Sequence, residues 1–350
     1  MLNVGISTGS CAALAAKAAA LLLVKQQHVD ATEIPLPDGS RLDWPVAEAR
    51  QTEEGARATV IKNAGDDPDV THGIHIQVHI IPRTQNEIIF KAGEGVGTVT
   101  LPGLALAVGE AAINPVPRSM ICAALREVTP MGLEVTVSVP GGRELAEMTF
   151  NPKLGIKGGI SIIGTTGRVR PFSAEALRDS LKCTLDICVA AGTRAPVLTP
   201  GNIGYRAAHR YFRLDQQQVV EVSNEWGFML EQTLPHRFEE LLLIGHPGKL
   251  AKLANQQWQT HSAQSDSALV FVTDLASRLL QRPIEVGTTI EGLFMHELSD
   301  EEREPVARAL AKAIKEAVQS TFNPSWQSAV VLINLKGEIL GSEGALTRWQ

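Results

Sequence analysis

A chain of 350 residues, 44% hydrophobic and 20% charged, has the composition of an ordinary globular protein and the length of two domains with sizeable cores. Its 32 basic and 38 acidic side chains leave a net charge of −6 with no long run of one sign, which argues against a nucleic-acid partner held by a general basic surface. Cys11, Cys122, Cys183 and Cys188 make neither a zinc spacing nor a disulfide scaffold, so reduced thiols in a cytoplasmic protein are expected.

Asn3 to Ser10 reads as a polar loop, with Ser10 capping a helix from Cys11 to about Gln27 that is apolar nearly all round and therefore buried. Its apolar core is interrupted by Lys17, has no basic segment before it and falls short of the roughly 20 residues that span a bilayer, so no membrane partner is expected. Ile34 to Leu42 reads as strand, Asp38-Gly39 turn and strand, and Trp44 to Arg50 and Ala56 to Lys62 as further strands. The loop from Asn63 to Gly73 concentrates Asp66, Asp67, Asp69 and His72, groups able to bind a cation, carry a proton or brace the loop. Ile74 to Ile81 alternates strictly, with His75, Gln77 and His79 on one face. At about 3.3 Å per residue the two histidine α-carbons stand roughly 13 Å apart, too far to share a metal.

Two loops rich in glycine and proline follow between Gly93 and Arg118, with Glu110, Asn114 and Arg118 as their polar candidates; so much punctuation is more than a connection needs. Ser119 to Thr129 is predicted helical, and Gly132 to Val139 with Glu144 to Phe150 is predicted to form a hairpin through Pro140-Gly141-Gly142. Beyond Asn151-Pro152 the order changes to alternating strand and helix. The expected organisation is an α+β domain over residues 1–150, followed by an α/β, Rossmann-like domain with a mostly parallel sheet over 151–350.

In that second part Ile160 to Ile163, Pro196 to Thr199, Val219 to Ser223 and Leu241 to Gly245 are the expected strands, each running through a small or polar turn into a helix. Four such turns would line one edge of one sheet, where parallel sheets bind ligands. The first lies in the stretch Gly155 to Gly167, in which glycines would let a ligand approach the backbone. Gly245-His246-Pro-Gly-Lys249 lacks the spacing and the hydroxyl of a triphosphate loop. Gly164-Thr165-Thr166-Gly167 is not a dinucleotide fingerprint, and no acidic residue ends the strand after it. His261 lies between two hydroxyls in a polar link, Ser299 to Glu302 is a capping box for a helix to about Gln319, and Ala329 to Gly341 closes the chain as a hairpin or edge strand.

Six ordered motifs together resemble one family. They are Ser-Thr-Gly-Ser-Cys-Ala from Ser7, Ala-Gly-Asp-Asp-Pro-Asp-Val-Thr-His-Gly from Ala64, Gly-Val-Gly-Thr-Val-Thr from Gly95, Gly-Glu-Ala-Ala-Ile-Asn-Pro-Val-Pro-Arg from Gly109, Gly-Gly-Ile-Ser-Ile-Ile-Gly-Thr-Thr-Gly from Gly158 and Ile-Gly-His-Pro-Gly-Lys from Ile244. The chain is similar to the CbiD family, the cobalt-precorrin-5B C1-methyltransferases of anaerobic cobalamin biosynthesis. It departs from the family pattern at Asn3, Ile6 and Leu101.

The resemblance implies transfer of a methyl group from S-adenosylmethionine to ring carbon 1 of a cobalt-bearing corrinoid. On that reading Gly158, Gly159, Gly164, Thr165, Thr166 and Gly167 approach the cofactor, with Asn202 and Asn224 on neighbouring turns. Asp66, Asp67, Asp69 and His72 face the corrinoid, and His246 and His261 are alternative proton carriers. Asn114, Arg118, Arg168, Arg170 and Lys249 meet the substrate, the bases through its acetate and propionate groups. Neighbouring pathway enzymes and a second copy of the chain are compatible partners. The competing readings are a corrinoid reductase using a nicotinamide cofactor, whose fingerprint is missing, and a corrinoid-binding handover protein without chemistry.

Overall fold

The computed structural model describes residues 3–169, 171 and 174–350, and its contacts divide into two units, Met1–Ala174 and Glu175–Gln350. The first unit opens with β1 (Gly5–Ile6) and α1 (Thr8–Lys25). Ser7 rather than Ser10 is the cap, its hydroxyl accepting from Ser10 N at 3.0 Å. Alanine at most inner positions keeps α1 thin and lets neighbours approach closely. It is long and apolar enough to cross a membrane, but 72% of that stretch is buried inside the unit, which makes it a core helix.

The chain continues through β2 (Ala31–Pro35), β3 (Arg41–Pro45), β4 (Glu48–Gln51), β5 (Ala56–Ile61), β6 (His75–Arg83), β7 (Ile88–Ala92), β8 (Thr98–Val99), α2 (Pro115–Arg126), β9 (Gly132–Ser138), α3 (Gly142–Ala146), β10 (Ile156–Lys157) and β11 (Arg168–Val169). β2 and β3 make the expected hairpin. The main sheet has the order β4-β5-β6-β9-β7, antiparallel except where β7 runs parallel to β9. Ile76, Val78 and Ile80, alternating on β6, are completely buried, and α1 packs on β5 and β6 with α2 beside it. The hairpin expected beyond Pro140 does not form. β9 already has β6 on one side and β7 on the other, so no edge is left for Glu144 to Phe150, part of which coils into α3.

The segment after Asn151 also departs from expectation. Ile160 bridges Val96, Ile162 bridges Ile113, β10 pairs with β8 and β11 with β1, so this stretch belongs to the first unit rather than opening the second. An isolated apolar run between glycines has the pattern of a buried parallel strand, but here its partners are the two earlier glycine loops.

The second unit comprises α4 (Ala174–Ala190), β12 (Val197–Thr199), α5 (Asn202–Tyr211), β13 (Val219–Glu221), α6 (Trp226–Thr233), β14 (Glu240–Gly245), α7 (Pro247–Ala254), α8 (Leu269–Leu280), α9 (Ile290–Gly292), α10 (Asp300–Phe322), β15 (Gln327–Ile333) and β16 (Ile339–Glu343). Its sheet has the order β13-β12-β14-β15-β16, the first four parallel and β16 antiparallel at the edge. Leu242, Ile244, Val331 and Ile333 pack with Ala207 and Ala208 of α5, while Leu241, Leu243, Val330 and Leu332, of opposite parity, are equally buried. Both faces are therefore covered, as the unbroken apolar run Leu241–Ile244 requires.

Candidate functional site

In the first unit the motifs converge on the start of α1. Ser7 N and the Ser10 hydroxyl both donate to Gly167 O, at 3.1 and 2.6 Å, and Gly9 N donates to Ile163 O at 2.9 Å. Thr8 Oγ1 accepts from Ile163 N at 2.8 Å. The turn Gly164 to Gly167 is thus tied to the helix start. A β-carbon on Gly164 would stand 2.2 Å from Ser7 Oγ, and one on Gly167 would stand 2.6 Å from Leu36 and 2.8 Å from Ser10 Oγ. Gly159 is pressed against the backbone of Gly95, 2.0 Å from its oxygen by the same measure. These three glycines permit protein to approach protein. Gly158 differs: its φ is +89°, nothing among the described residues lies within 4 Å of where its β-carbon would be, and it lines a cavity of about 470 Å³ with Gly93, Gly95, Gly141, Arg143 and Lys157. Thr165 and Thr166 are exposed, the latter bonded to the backbone of Arg168. Cys11, inside the first motif, is no nucleophile, since burial pushes its thiol up to about 12.

The acidic loop is braced from within. The buried Lys62 ammonium donates to Asp69 Oδ2 at 2.6 Å, while Asp69 Oδ1 accepts from Thr71 N and Thr71 Oγ1. Burial raises the Asp69 pKa, but the bonds and charge of Lys62 together with Thr71 outweigh it and hold the carboxyl below its ordinary value. His72 Nδ1 accepts from Ala64 N at 3.2 Å, and Asp66 accepts from Asn3 N at 2.7 Å. Asp67 sits between them in sequence and also has a partner. Arg118, expected to meet substrate carboxylates, is spent on its own unit. It donates to Glu110 Oε1 at 2.9 Å and to the carbonyls of Ile113 and Ala111, and lies over the Phe90 ring. Asn114 is the N-cap residue of α2. Arg168 pairs in β11 and its charge reaches Asp38, whereas Arg170 falls outside the described residues.

In the second unit three of the four expected turns, those after β12, β13 and β14, do line one sheet edge; the Gly164 turn does not. β12 is the strand from which the order reverses, with β13 on one side and β14 on the other, so the turns after β12 and β14 diverge there. Asn202 opens α5 and is exposed. Asn224 instead holds the later loop, through Asn224 O to Thr260 N at 3.0 Å and Oδ1 to the Thr260 hydroxyl at 3.3 Å. His246 caps α7: Nδ1 accepts from Gly248 N at 2.9 Å, which leaves the proton on Nε2, 2.8 Å from Glu291 Oε2. Both its nitrogens are engaged, so its main work is to join that turn to α9. His261 is exposed, its Nδ1 accepting from Ala263 N. Lys249, in the first turn of α7, is half-buried. Burial pulls its ammonium below the ordinary lysine value, the Glu221 charge opposes this, and Lys252 adds to it.

Glu221 was missed in the sequence. It is the last residue of β13, in register with Thr199 at the end of β12, and its Oε1 would lie 3.9 Å from a β-carbon on Gly201. It follows Gly201 by 20 residues, the spacing at which an acidic residue after a glycine turn is sought. That signal belongs to the β12 turn of the second unit and not to the Gly164 turn, which lies in the first.

Comparison with known proteins gives the CbiD family model over residues 1–171. The chain is 51% identical over 346 residues to the cobalt-precorrin-5B C(1)-methyltransferase of Syntrophotalea carbinolica, covering 99% of this chain and 98% of the relative. It is 38% identical over 349 residues to the protein of the same name from Methanocaldococcus jannaschii, covering 97% and 95%. A 1.9 Å crystal structure of the cobalamin biosynthesis protein (cbiD) from Archaeoglobus fulgidus shares 28% identity over 73% of this chain and 80% of that one, with a TM-score of 0.40. With relatives matched along nearly their whole length, and with the six motifs in order, this chain belongs to the CbiD family of cobalt-precorrin-5B C(1)-methyltransferases.

Proposed function

We propose that this chain is the methyltransferase that carries a methyl group from S-adenosylmethionine to carbon 1 of cobalt-precorrin-5B, giving cobalt-precorrin-6A in anaerobic cobalamin (vitamin B12) biosynthesis. The observation that carries this reading is the 51% identity, over 99% of the chain, to a protein of that name. The cobalt belongs to the substrate, and a cytoplasmic location belongs to the same reading.

Within it the second unit serves as a Rossmann-like donor-binding unit. The donor site moves from the glycine turn, where Gly159, Gly164 and Gly167 are filled by protein, to the sheet edge between the β12 and β14 turns. That edge fits an adenosyl donor: among the described residues only the Glu221 carboxylate comes within 4 Å of where a Gly201 β-carbon would stand, and Asn202 and Lys249 stand on the two flanking turns. When bound, the donor supplies a sulfonium methyl already activated toward carbon. The work left to the chain is to align the two reactants and exclude water.

The first unit faces the corrinoid in this reading. Arg143 and Lys157, exposed beside Gly158, take over from Arg118 the role of meeting acetate and propionate groups. Asp69, His72 and His246 hold loops, Asp66 holds Asn3 and Asp67 has a partner of its own, so the exposed His261 is the proton carrier in this reading. Calorimetric titration with S-adenosylmethionine, followed by incubation with donor and cobalt-precorrin-5B and mass analysis of the tetrapyrrole, tests the reading. Saturable donor binding and a methylated product support it; a preference for NADPH, or corrinoid binding without donor turnover, replaces it by the reductase or the handover protein.

A further inference from the structure

We propose that the cavity beside Gly158 is a subsite for one carboxylate arm of the corrinoid, in which Arg143 and Lys157 close on the ionised arm together while Glu94 and Glu144 repel a second. This rests on the reading of the first unit as the one that faces the corrinoid, and it adds the two acids as specificity-determining residues. Three observations converge on it. The first is that the cavity is preformed. Its walls come from residues 92–98, 141–144 and 157–158, and backbone bonds tie these segments and their neighbours together. Gly95 O accepts from Ile160 N at 2.9 Å, Glu94 O from Val139 N at 2.6 Å and Ile160 O from Gly97 N at 2.9 Å. A ligand entering it has little new chain to order.

The second is the state of its charges. Lys17, Arg41, Lys62 and Arg118 are each held by a carboxylate of their own unit. The side chains of Arg143, Lys157, Glu94 and Glu144 are exposed and have no bonding partner among the described residues, although all four line the same cavity of about 470 Å³. Opposite charges that share a cavity without pairing stay available to a ligand. The third is the backbone. Gly141 and Gly158 hold φ of +77° and +89°, and nothing among the described residues lies within 4 Å of where either β-carbon would stand. The Gly158 N–H also lacks a backbone acceptor among those residues, which leaves a donor next to Lys157.

The chemistry selects both the group and its number. A guanidinium, an ammonium and an amide are all donors, and one carboxylate has acceptor sites enough for the three. A second carboxylate in the same space would meet the like charges of Glu94 and Glu144. The cavity therefore takes one arm of a polycarboxylate and leaves the others outside.

The alternative is that all four are solvated surface charges, and the sign of four substitutions separates the two. The full chain and its variants are titrated by calorimetry with cobalt-precorrin-5B, with and without S-adenosylhomocysteine. Arg143→Gln and Lys157→Gln should each weaken binding roughly 10-fold, the low end for a hydrogen bond to a charged group because both bases are exposed. Their double variant should lose less than the product of the two, as groups acting on one carboxylate do. Glu94→Gln and Glu144→Gln should move the other way and tighten binding roughly two- to five-fold, the worth of one exposed charge pair. Misfolding cannot produce a gain, so the acid variants carry the test if a base variant does not fold. Unchanged affinity in all four variants, or a loss in all four, overturns the subsite while leaving the first unit's reading intact. A double loss equal to the product puts the two bases on different arms and overturns the single-arm assignment. No binding of cobalt-precorrin-5B to the wild type under either condition overturns the subsite and the reading it rests on.

Discussion

A lysine whose side chain is 1% exposed needs a partner, and Lys62 has the Asp69 carboxylate at 2.6 Å. Removing the carboxylate strands a buried ammonium, so Asp69→Asn should destabilise the protein by about 3 kcal/mol, the low end for breaking a buried pair because Asp69 keeps some contact with water. The urea midpoint reads this directly. The pH dependence has a definite sign. The folded Asp69 carboxyl lies below its ordinary value, so its contribution is complete above about pH 4 and disappears as pH falls through the depressed folded value. A plot of Tm against pH should therefore fall less steeply in acid for Asp69→Asn than for the wild type; parallel curves would remove Asp69 from the account. In sequence the same aspartate was visible only as one of several carboxylates near a histidine. What separates bracing from catalysis is the burial of Lys62, which lies in an unremarkable stretch, and no local pattern announces that a lysine will turn inward.

At the scale of elements, glycines that look alike in sequence do different things. Gly158 holds φ +89° beside open space, whereas Gly159 is pressed against Gly95, whose carbonyl accepts from Ile160 N at 2.9 Å. Gly158→Ala should cost only the left-handed backbone penalty, about 1–2 kcal/mol. Gly159→Ala must drive two bonded segments apart and should cost distinctly more. Equal denaturation midpoints for the two variants would mean that the contact is not as tight as it stands. The rule behind this also explains which elements were legible. β6 and α1 carry their own periodicity, so alternation and an apolar surround were enough. The β12, β13 and β14 units were legible because each strand is followed closely by its helix. Ile160 to Ile163 was not, because its identity depends on Val96 and Ile113, partners distant in the chain. The α3 segment failed for the same reason: only the sheet order shows that β9 has no free edge.

For the whole molecule the question becomes which unit answers to the donor, and hydrogen exchange can decide it without any catalytic assay. A ligand that binds only the folded state stabilises by about 2.7 kcal/mol at one hundred times its Kd, and its immediate neighbours gain protection even where they open locally. With S-adenosylhomocysteine at that concentration, slowed exchange should be concentrated in the second unit, at residues 199–204, 219–225 and 245–250, where the β12, β13 and β14 turns lie. Residues 158–167 of the first unit, already bonded to the start of α1 and to the glycine loops, should change little. Adding the corrinoid precursor alone should reverse the pattern, with protection around the cavity beside Gly158. If S-adenosylhomocysteine instead protects 158–167 and leaves the β12 and β14 turns unchanged, the donor returns to the glycine turn, and the sheet edge of the second unit becomes the place to look for the corrinoid.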